Sequence, residues 1–200
     1  MTLSLCMIVK NESNVILECL ESVYKYIDYW VISDTGSDDG TPEIILDFFN
    51  KKNIKGELHH DVWQDFGHNR TLALQKCLGR TTYAFMMDAD DILVGKLQLP
   101  DNEEEANGYF IEIKSKNLHF FRKHVFRLKD SWKYVGVLHE YPVCQAAIPI
   151  MPKLQNCYIN DRRCGYRTTS KIHDKYQEDA VILYDALQKE PENTRYMFFV

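Results

Sequence analysis

Asp88, Asp90 and Asp91 follow directly on five apolar and aromatic residues, Tyr83 to Met87. A strand buried on both faces has that composition, and carboxylates are too costly to remain inside it unpartnered, so they belong at its end. Asp88 and Asp90, one small residue apart, can converge through oxygen on a hard divalent cation. Mg²⁺ or Mn²⁺ held in this way commonly also takes the phosphates of a substrate. The plainer alternative is an acidic turn, which aspartate favours on its own account.

Three further groups have types and positions suited to the same chemistry. Asp34 ends an earlier apolar segment, Tyr29 to Ser33, and opens the polar turn Asp34-Thr35-Gly36-Ser37-Asp38-Asp39-Gly40-Thr41. Ligands of open α/β sheets bind beyond the carboxyl ends of strands, so a nucleotide would lie there; a solvent-facing turn with a helix cap is the alternative. Arg70 falls in the first turn of a helix, against the sign of the helix dipole, which suits a cation only if an anion such as a diphosphate lies in front of it. Pairing with Asp65 or with a carboxylate at the sheet end would serve equally. His139 and Glu140 stand side by side before Pro142, so in an extended chain their side chains take opposite faces, one toward a metal or donor and one toward an acceptor. Finally, Arg162, Arg163, Arg167, Lys171, His173 and Lys175 form a basic, loop-like patch from which one or two cations can close over a phosphate.

The elements that must position these groups follow from periodicity. Leu3 to Val9 is a buried first strand; Asn11 or Ser13 then caps a helix with Ile16, Leu20, Val23 and Ile27 at helical spacing. Tyr29 to Ser33 is the second strand, Glu43 to Asn50 the second helix, Gly56 to His59 the third strand. A helix through Leu72, Leu74 and Leu78 ends at Gly79, and Tyr83 to Met87 is the fourth strand. The order β-α-β-α-β-α-β predicts a mostly parallel sheet with flanking helices and right-handed crossovers, delivering Asp34, Arg70, Asp88 and Asp90 to one rim. Beyond Asp91, the acidic run 101–105 is a solvated loop. Alternation in Gly108 to Lys114, Leu118 to Leu128 and Trp132 to Leu138 predicts a smaller antiparallel sheet. Asp174 to Lys189 is an amphipathic C-terminal helix. We expect a domain over residues 1–172, with a nucleotide-binding half (1–95) and an acceptor half (96–172), then a helical extension over 173–200. Its apolar close predicts that the polypeptide continues into further domains.

Composition excludes several classes. A chain of 200 residues with 45 % hydrophobic and 12 % aromatic residues is globular, and a net charge of −5 offers no field for a nucleic acid. The six cysteines include no Cys-x-x-Cys pair, so a reducing, cytoplasmic setting is expected. No stretch reaches transmembrane length.

In order along the chain, Leu5-Cys6-Met7-Ile8-Val9-Lys10-Asn11-Glu12, the turn from Asp34 to Thr41, Trp63-x-x-Phe66-Gly67-x-Asn69-Arg70, Asp88-x-Asp90 and His139-Glu140-Tyr141 together resemble a family 2 glycosyltransferase with the GT-A fold. The tail from Lys175 through Pro191-Glu192-Asn193-x-Arg195-Tyr196 resembles members in which helical repeats follow the catalytic domain, as in transferases of bacteria and large DNA viruses. The resemblance implies a nucleotide-sugar donor, most often a UDP-sugar, and a glycan or glycoprotein acceptor. It implies that the backbone from Met7 to Val9 borders the base, that Asp34 binds uracil or ribose and that Asp88 contacts ribose or metal-bound water. Asp90 would hold Mn²⁺ or Mg²⁺ on the diphosphate, with Arg70 supporting the phosphates or base and Arg167 a candidate donor contact in the basic lid. Members invert the anomeric centre and need one general base, for which Glu140 and Asp91 are rivals; His139 is a rival metal ligand. The other readings are a nucleotidyltransferase making nucleotide sugars, though Lys10-Asn11-Glu12-Ser13 lacks the glycine-rich loop this needs, and a non-catalytic interaction domain.

Overall fold

The computed structural model describes residues 1–100, 106–169 and 172–199; the acidic run 101–105 lies outside the described residues, as do the side chains of Lys171, His173 and Lys175. The chain opens with β1 (Leu3–Val9), α1 (Ile16–Val23), β2 (Tyr29–Asp34), α2 (Thr41–Lys52), β3 (Gly56–His60), α3 (Phe66–Lys76) and β4 (Tyr83–Met86). It continues through β5 (Asp91–Gly95), β6 (Gly108–Ser115), β7 (Leu118–Arg127), β8 (Lys133–Val135), β9 (Tyr141–Val143), β10 (Lys153–Asp161), α4 (Tyr166–Thr169), α5 (Ile172–Lys189) and α6 (Thr194–Phe199).

The near-continuous apolar character of β1 has a direct cause: both of its faces are covered. Leu3, Leu5, Met7 and Val9 pack with Ile16, Leu20 and Val23 of α1 and with Ile45, Phe48 and Phe49 of α2. Cys6 faces the other way, with Ala73, Leu74 and Cys77 from the α3 side. Alternate residues thus feed two separate cores, as the period of a strand requires.

Strands β3, β2, β1 and β4 pair in parallel in that order, and β7, β6, β10 and β5 extend the same eight-stranded sheet. The pairs β4–β7, β7–β6 and β10–β5 are antiparallel. The expected parallel sheet with flanking helices is present, and the small separate antiparallel sheet consists of β8 and β9. Most second-half strands therefore enlarge the main sheet. Chain direction away from β1 reverses between β2 and β4, so the crevice beyond β1 and β4 is a switch point where α/β sheets bind ligands.

Two local expectations change. Neither Asn11 nor Ser13 caps α1, which begins only at Ile16 with no side-chain cap. These residues instead join the loop after β1 to the loop after β2. The Asn11 N–H donates to Ser37 Oγ at 2.9 Å, Asn11 Oδ1 accepts from the Asp38 N–H at 2.9 Å and the Ser13 N–H donates to Asp39 Oδ2 at 2.9 Å. The strand expected over Trp132 to Leu138 shortens to β8, because Gly136 takes φ 107° and His139 φ 54°, which end extended pairing. No helix among the described residues is long and apolar enough to cross a membrane.

Candidate active site

Arg70 organises the site. It lies one turn into α3 and is 7 % exposed. Its Nη2 donates to Asp88 Oδ1 at 2.6 Å and its Nε to Glu140 Oε1 at 2.8 Å, so one guanidinium joins the end of β4 to the loop between β8 and β9. Asp65 does not pair with it; that carboxylate caps α3 by accepting from the His68 N–H at 2.7 Å. Burial alone would raise the Asp88 carboxyl, yet the charges of Arg70 and Arg122 and the Arg70 hydrogen bond outweigh it and hold Asp88 below the usual range. The Asp88 side chain remains 35 % open, and its Oδ2 has no hydrogen bond among the described residues. Glu140 is more enclosed, at 9 %, and its Oε2 is likewise without a partner among them.

Packing fixes the loop that carries Glu140. A Cβ on Gly67 would meet the Gly136 carbonyl oxygen at 2.4 Å, so only glycine lets α3 approach this closely. The Phe66 N–H also donates to the Val137 carbonyl at 3.3 Å. His139 and Glu140 do part company, but in a left-handed turn rather than a strand. Glu140 turns to Arg70, while the His139 ring stacks on Phe199 at 4.1 Å.

Asp90 sits against the segment before α4. Its Oδ2 accepts from the backbone N–H groups of Cys164 at 3.0 Å and Gly165 at 2.9 Å, while Arg162 Nε donates to the Asp90 carbonyl at 2.8 Å. Asp90 Oδ1 has no hydrogen bond among the described residues. Glu12 shares this segment, accepting from the Tyr166 N–H at 3.2 Å. Burial, opposed by that amide and reinforced by Asp90, Asp39 and Asp88, pushes the Glu12 carboxyl up to about 7.

The other expected residues lie around this centre with their polar atoms differently engaged. Asp34 is buried, and its carboxylate closes its own turn, accepting from the Gly36 and Ser37 N–H groups at 3.2 to 3.3 Å and from Ser37 Oγ at 2.5 Å. The Val9 carbonyl accepts from the Thr35 N–H and Oγ1 at 2.9 and 3.0 Å. Asp91 is 6 % exposed, and burial together with Asp88, Asp90 and Asp161 raises its carboxyl well above the usual range. Arg167 pairs with Asp179 and stacks over Phe66 at 4.7 Å.

A polar cavity of about 320 Å³ opens beside the triad, lined among others by Asp88, Arg70, Arg122, His124, Tyr134 and Glu140. Asp90, Asp91 and His139 are not part of its wall. Sequence reasoning missed His124. It falls at a bulge, where Tyr109 pairs with Val125 and Phe110 with Lys123, so its side chain is re-aimed. His124 Nδ1 lies 2.7 Å from the Met86 carbonyl, which fixes the proton on that nitrogen. Burial and the nearby Arg122 push the imidazole down to about 4. Nothing in a linear reading marks such a bulge.

Among the described residues no three His, Cys, Asp or Glu side chains form a ready metal cage. The unpartnered Asp88 Oδ2 and Asp90 Oδ1 nevertheless suit a cation that draws its remaining ligands from phosphates and water, as Mg²⁺ usually does.

Comparison with known proteins agrees with this architecture. Glycosyltransferase SunS of Bacillus phage SPbeta is 26 % identical over 213 residues, covering 99 % of this chain and 48 % of SunS. TarS 1–349 of S. aureus superimposes with a TM-score of 0.60 at 17 % identity, over 94 % of this chain and 66 % of that one, and has been solved with UDP and with UDP-GlcNAc. The mannosyltransferase PcManGT of Pyrobaculum calidifontis, in complex with GDP-Man and Mn²⁺, gives 0.56 at 14 % identity, over 93 % of this chain and 64 % of its own. These likenesses establish the GT-A fold, and the chain spans about half the length of SunS. Residues 4–101, which carry Val9, Asp34, Arg70, Asp88 and Asp90, match the model of Glycosyl transferase family 2.

Proposed function

We propose that the chain is an inverting, metal-dependent glycosyltransferase that moves a sugar from a nucleotide-sugar donor, a UDP-sugar, to a hydroxyl of a glycan or glycoprotein acceptor. The observation that carries this reading is the Arg70 bridge. It sets a carboxylate of the Asp88-x-Asp90 motif and the Glu140 carboxylate on one guanidinium, at the wall of one cavity, beyond the carboxyl end of β4. The UDP complexes of TarS support the choice of donor.

Direct displacement at the anomeric carbon needs an acceptor oxygen that loses its proton as it attacks and a leaving diphosphate whose growing charge is met. Glu140 is suited to taking that proton, because Arg70 fixes one carboxylate oxygen and leaves Oε2 to accept it. Asp91 suits this role less, being sealed from the cavity and held toward its protonated form. Asp88 and Asp90 would hold Mn²⁺ or Mg²⁺, which when bound supplies positive charge to the diphosphate. Arg70 serves as the fixed cation of the centre: burial disfavours its charge, but Asp88 and Glu140 outweigh that and hold it charged and immobile. Asp34 and Val9 border the nucleotide through the loops that they close.

Calorimetry with UDP in the presence of Mn²⁺ and a hydrolysis panel of nucleotide sugars test the proposal. We expect binding that needs the cation and turnover of at least one UDP-sugar. A protein that neither binds UDP nor gains thermal stability from it is not this enzyme.

A further inference from the structure

The expected boundary at residue 172 treats the last helices as an appendage, but the contacts of α5 and α6 lead back to the loop that carries Glu140. Leu138, just ahead of His139 and Glu140 in this loop, is buried with Leu183 and Ala186 of α5 and Tyr196 of α6. The Val137 N–H donates to Tyr196 Oη at 3.2 Å, and Tyr196 is 4 % exposed. Arg195 donates from Nη2 and Nε to the His139 carbonyl at 2.7 and 3.3 Å, lies over the Tyr141 ring at 4.7 Å and forms part of the cavity wall beside Glu140. Phe199 stacks on the His139 ring.

Each contact falls on a residue flanking Glu140, and none falls on Glu140 itself. His139 holds φ 54°, a left-handed conformation that is uncommon for a non-glycine residue and gains from contacts that hold it. Beside the packing of α3 on Gly136 and Val137, two contacts from α6 act on His139 directly: Arg195 clamps its carbonyl, and Phe199 its ring. With the loop relaxed, the backbone at His139 would turn toward the favoured region, and the Glu140 carboxylate would leave the cavity wall.

We propose that α6 is a positioning element of the catalytic centre, in which Arg195 and Tyr196 hold the Val137–Tyr141 backbone in the one conformation that presents Glu140 to the acceptor hydroxyl. The catalytic unit of this chain therefore extends through α6. The inference rests on the assignment of Glu140 as base under the proposed function, and it adds a place where anything that packs on or displaces α6 would change turnover without touching the donor site.

Two variants of the full chain test it. Arg195→Ala removes the clamp on the His139 carbonyl, and Tyr196→Phe keeps the packing of the Leu138 cluster while removing one hydroxyl. Using the UDP-sugar that the wild type hydrolyses fastest, Arg195→Ala should lower kcat by about 10- to 100-fold, the scale of a misplaced catalytic group. UDP affinity should stay within about twofold, as expected when binding contacts are untouched. Arg195→Lys, which can still donate to the carbonyl, should restore part of the loss. In a Glu140→Gln background, Arg195→Ala should cause no further loss, because positioning has no effect once the base is gone. Full additivity in that background, an unchanged kcat, or a parallel loss of UDP affinity would each overturn the proposal. Amide exchange gives a readout independent of activity: Tyr196→Phe should speed exchange at Val137 by about tenfold or more, the loss of roughly one hydrogen bond's protection. If the wild type turned over no nucleotide sugar, the function would be lost, yet exchange at Val137 would still decide whether α6 holds the loop; unchanged exchange overturns the clamp.

Discussion

Asp34, at the end of β2, and Glu140, in the loop before β9, are both enclosed carboxylates, yet they are held in opposite ways. Asp34 is held chiefly within three residues of itself, by the N–H groups of Gly36 and Ser37, with the His60 ring on the neighbouring strand a longer contact at 3.4 Å. Glu140 depends on a cation 70 residues away on α3 and on a backbone clamped by α6. The first half of the molecule closes its loops locally and through the ties between the β1 and β2 loops; the second half assembles its site from segments remote in sequence. Local closure makes a preformed turn, while remote assembly makes a carboxylate whose placement depends on the whole fold; under the proposed function the first would border the nucleotide and the second act as base.

The most severe way to break this contrast is to remove the hub of the remote assembly. Arg70→Ala leaves the enclosed Glu140 and the partly open Asp88 without their cation; a buried ion pair that loses one partner costs about 3–5 kcal/mol, and the openness of Asp88 puts this loss at the lower end. Urea unfolding should show that loss, and transfer should vanish with it. A variant with wild-type stability would mean that the triad is more hydrated than its burial indicates. Glu140→Gln is gentler on the fold, since an amide can still accept from Arg70 Nε, but it cannot take a proton. Turnover should fall by about 10²- to 10⁴-fold, the usual contribution of a general base, with UDP affinity kept. A variant as active as the wild type would move the base role away from Glu140.

The local half should give smaller responses. Asp34→Asn keeps an acceptor for the Ser37 N–H but loses the charge that strengthens those bonds, so stability should drop by about 1 kcal/mol. Thermal unfolding would measure it, and UDP affinity should weaken with it if, as proposed, the nucleotide lies on this turn. Stability falling without any change in UDP binding would make Asp34 a turn residue only.

The same contrast governs what could be read before the fold was known. The β1 to β4 series was legible because each strand is a short apolar run and each helix a periodic one, and family resemblance followed those motifs in order. Asp88, Arg70 and Glu140 were each legible as chemistry-bearing residues, but not their junction, because no periodicity connects α3 to a loop 70 residues on. The divergence of His139 from Glu140 was expected from strand alternation and arises instead from a left-handed turn. Asn11 and Ser13 were legible as polar punctuation, yet their partners lie in the loop after the neighbouring strand β2 rather than in the helix that follows. His124 was invisible because a bulge is a property of pairing, not of sequence period.

Glu12 gives the finest test, because it stands where the two halves meet: its backbone belongs to the β1 loop and its carboxyl accepts from the amide of Tyr166. Its carboxyl is raised to about 7 by burial and by Asp90, Asp39 and Asp88, against a starting value of 4.5. The folded state therefore binds a proton more tightly than the unfolded chain does. The stability this provides is fully present below about pH 4.5 and is lost as pH rises through about 7. The shift corresponds to at most about 3 kcal/mol, and to less in practice because the carboxyl is only part-buried and water screens its neighbours. Glu12→Gln, a neutral mimic of the protonated group, should flatten this part of the stability profile in buffer without divalent cations. Added Mn²⁺ should flatten the wild-type profile in the same direction, since positive charge beside Asp90 offsets the repulsion that raises Glu12. A wild type and a Glu12→Gln variant with parallel profiles between about pH 5 and 7 would show that the Gly165–Tyr166 segment leaves Glu12 hydrated, and that the two halves meet less closely than the Tyr166 hydrogen bond implies.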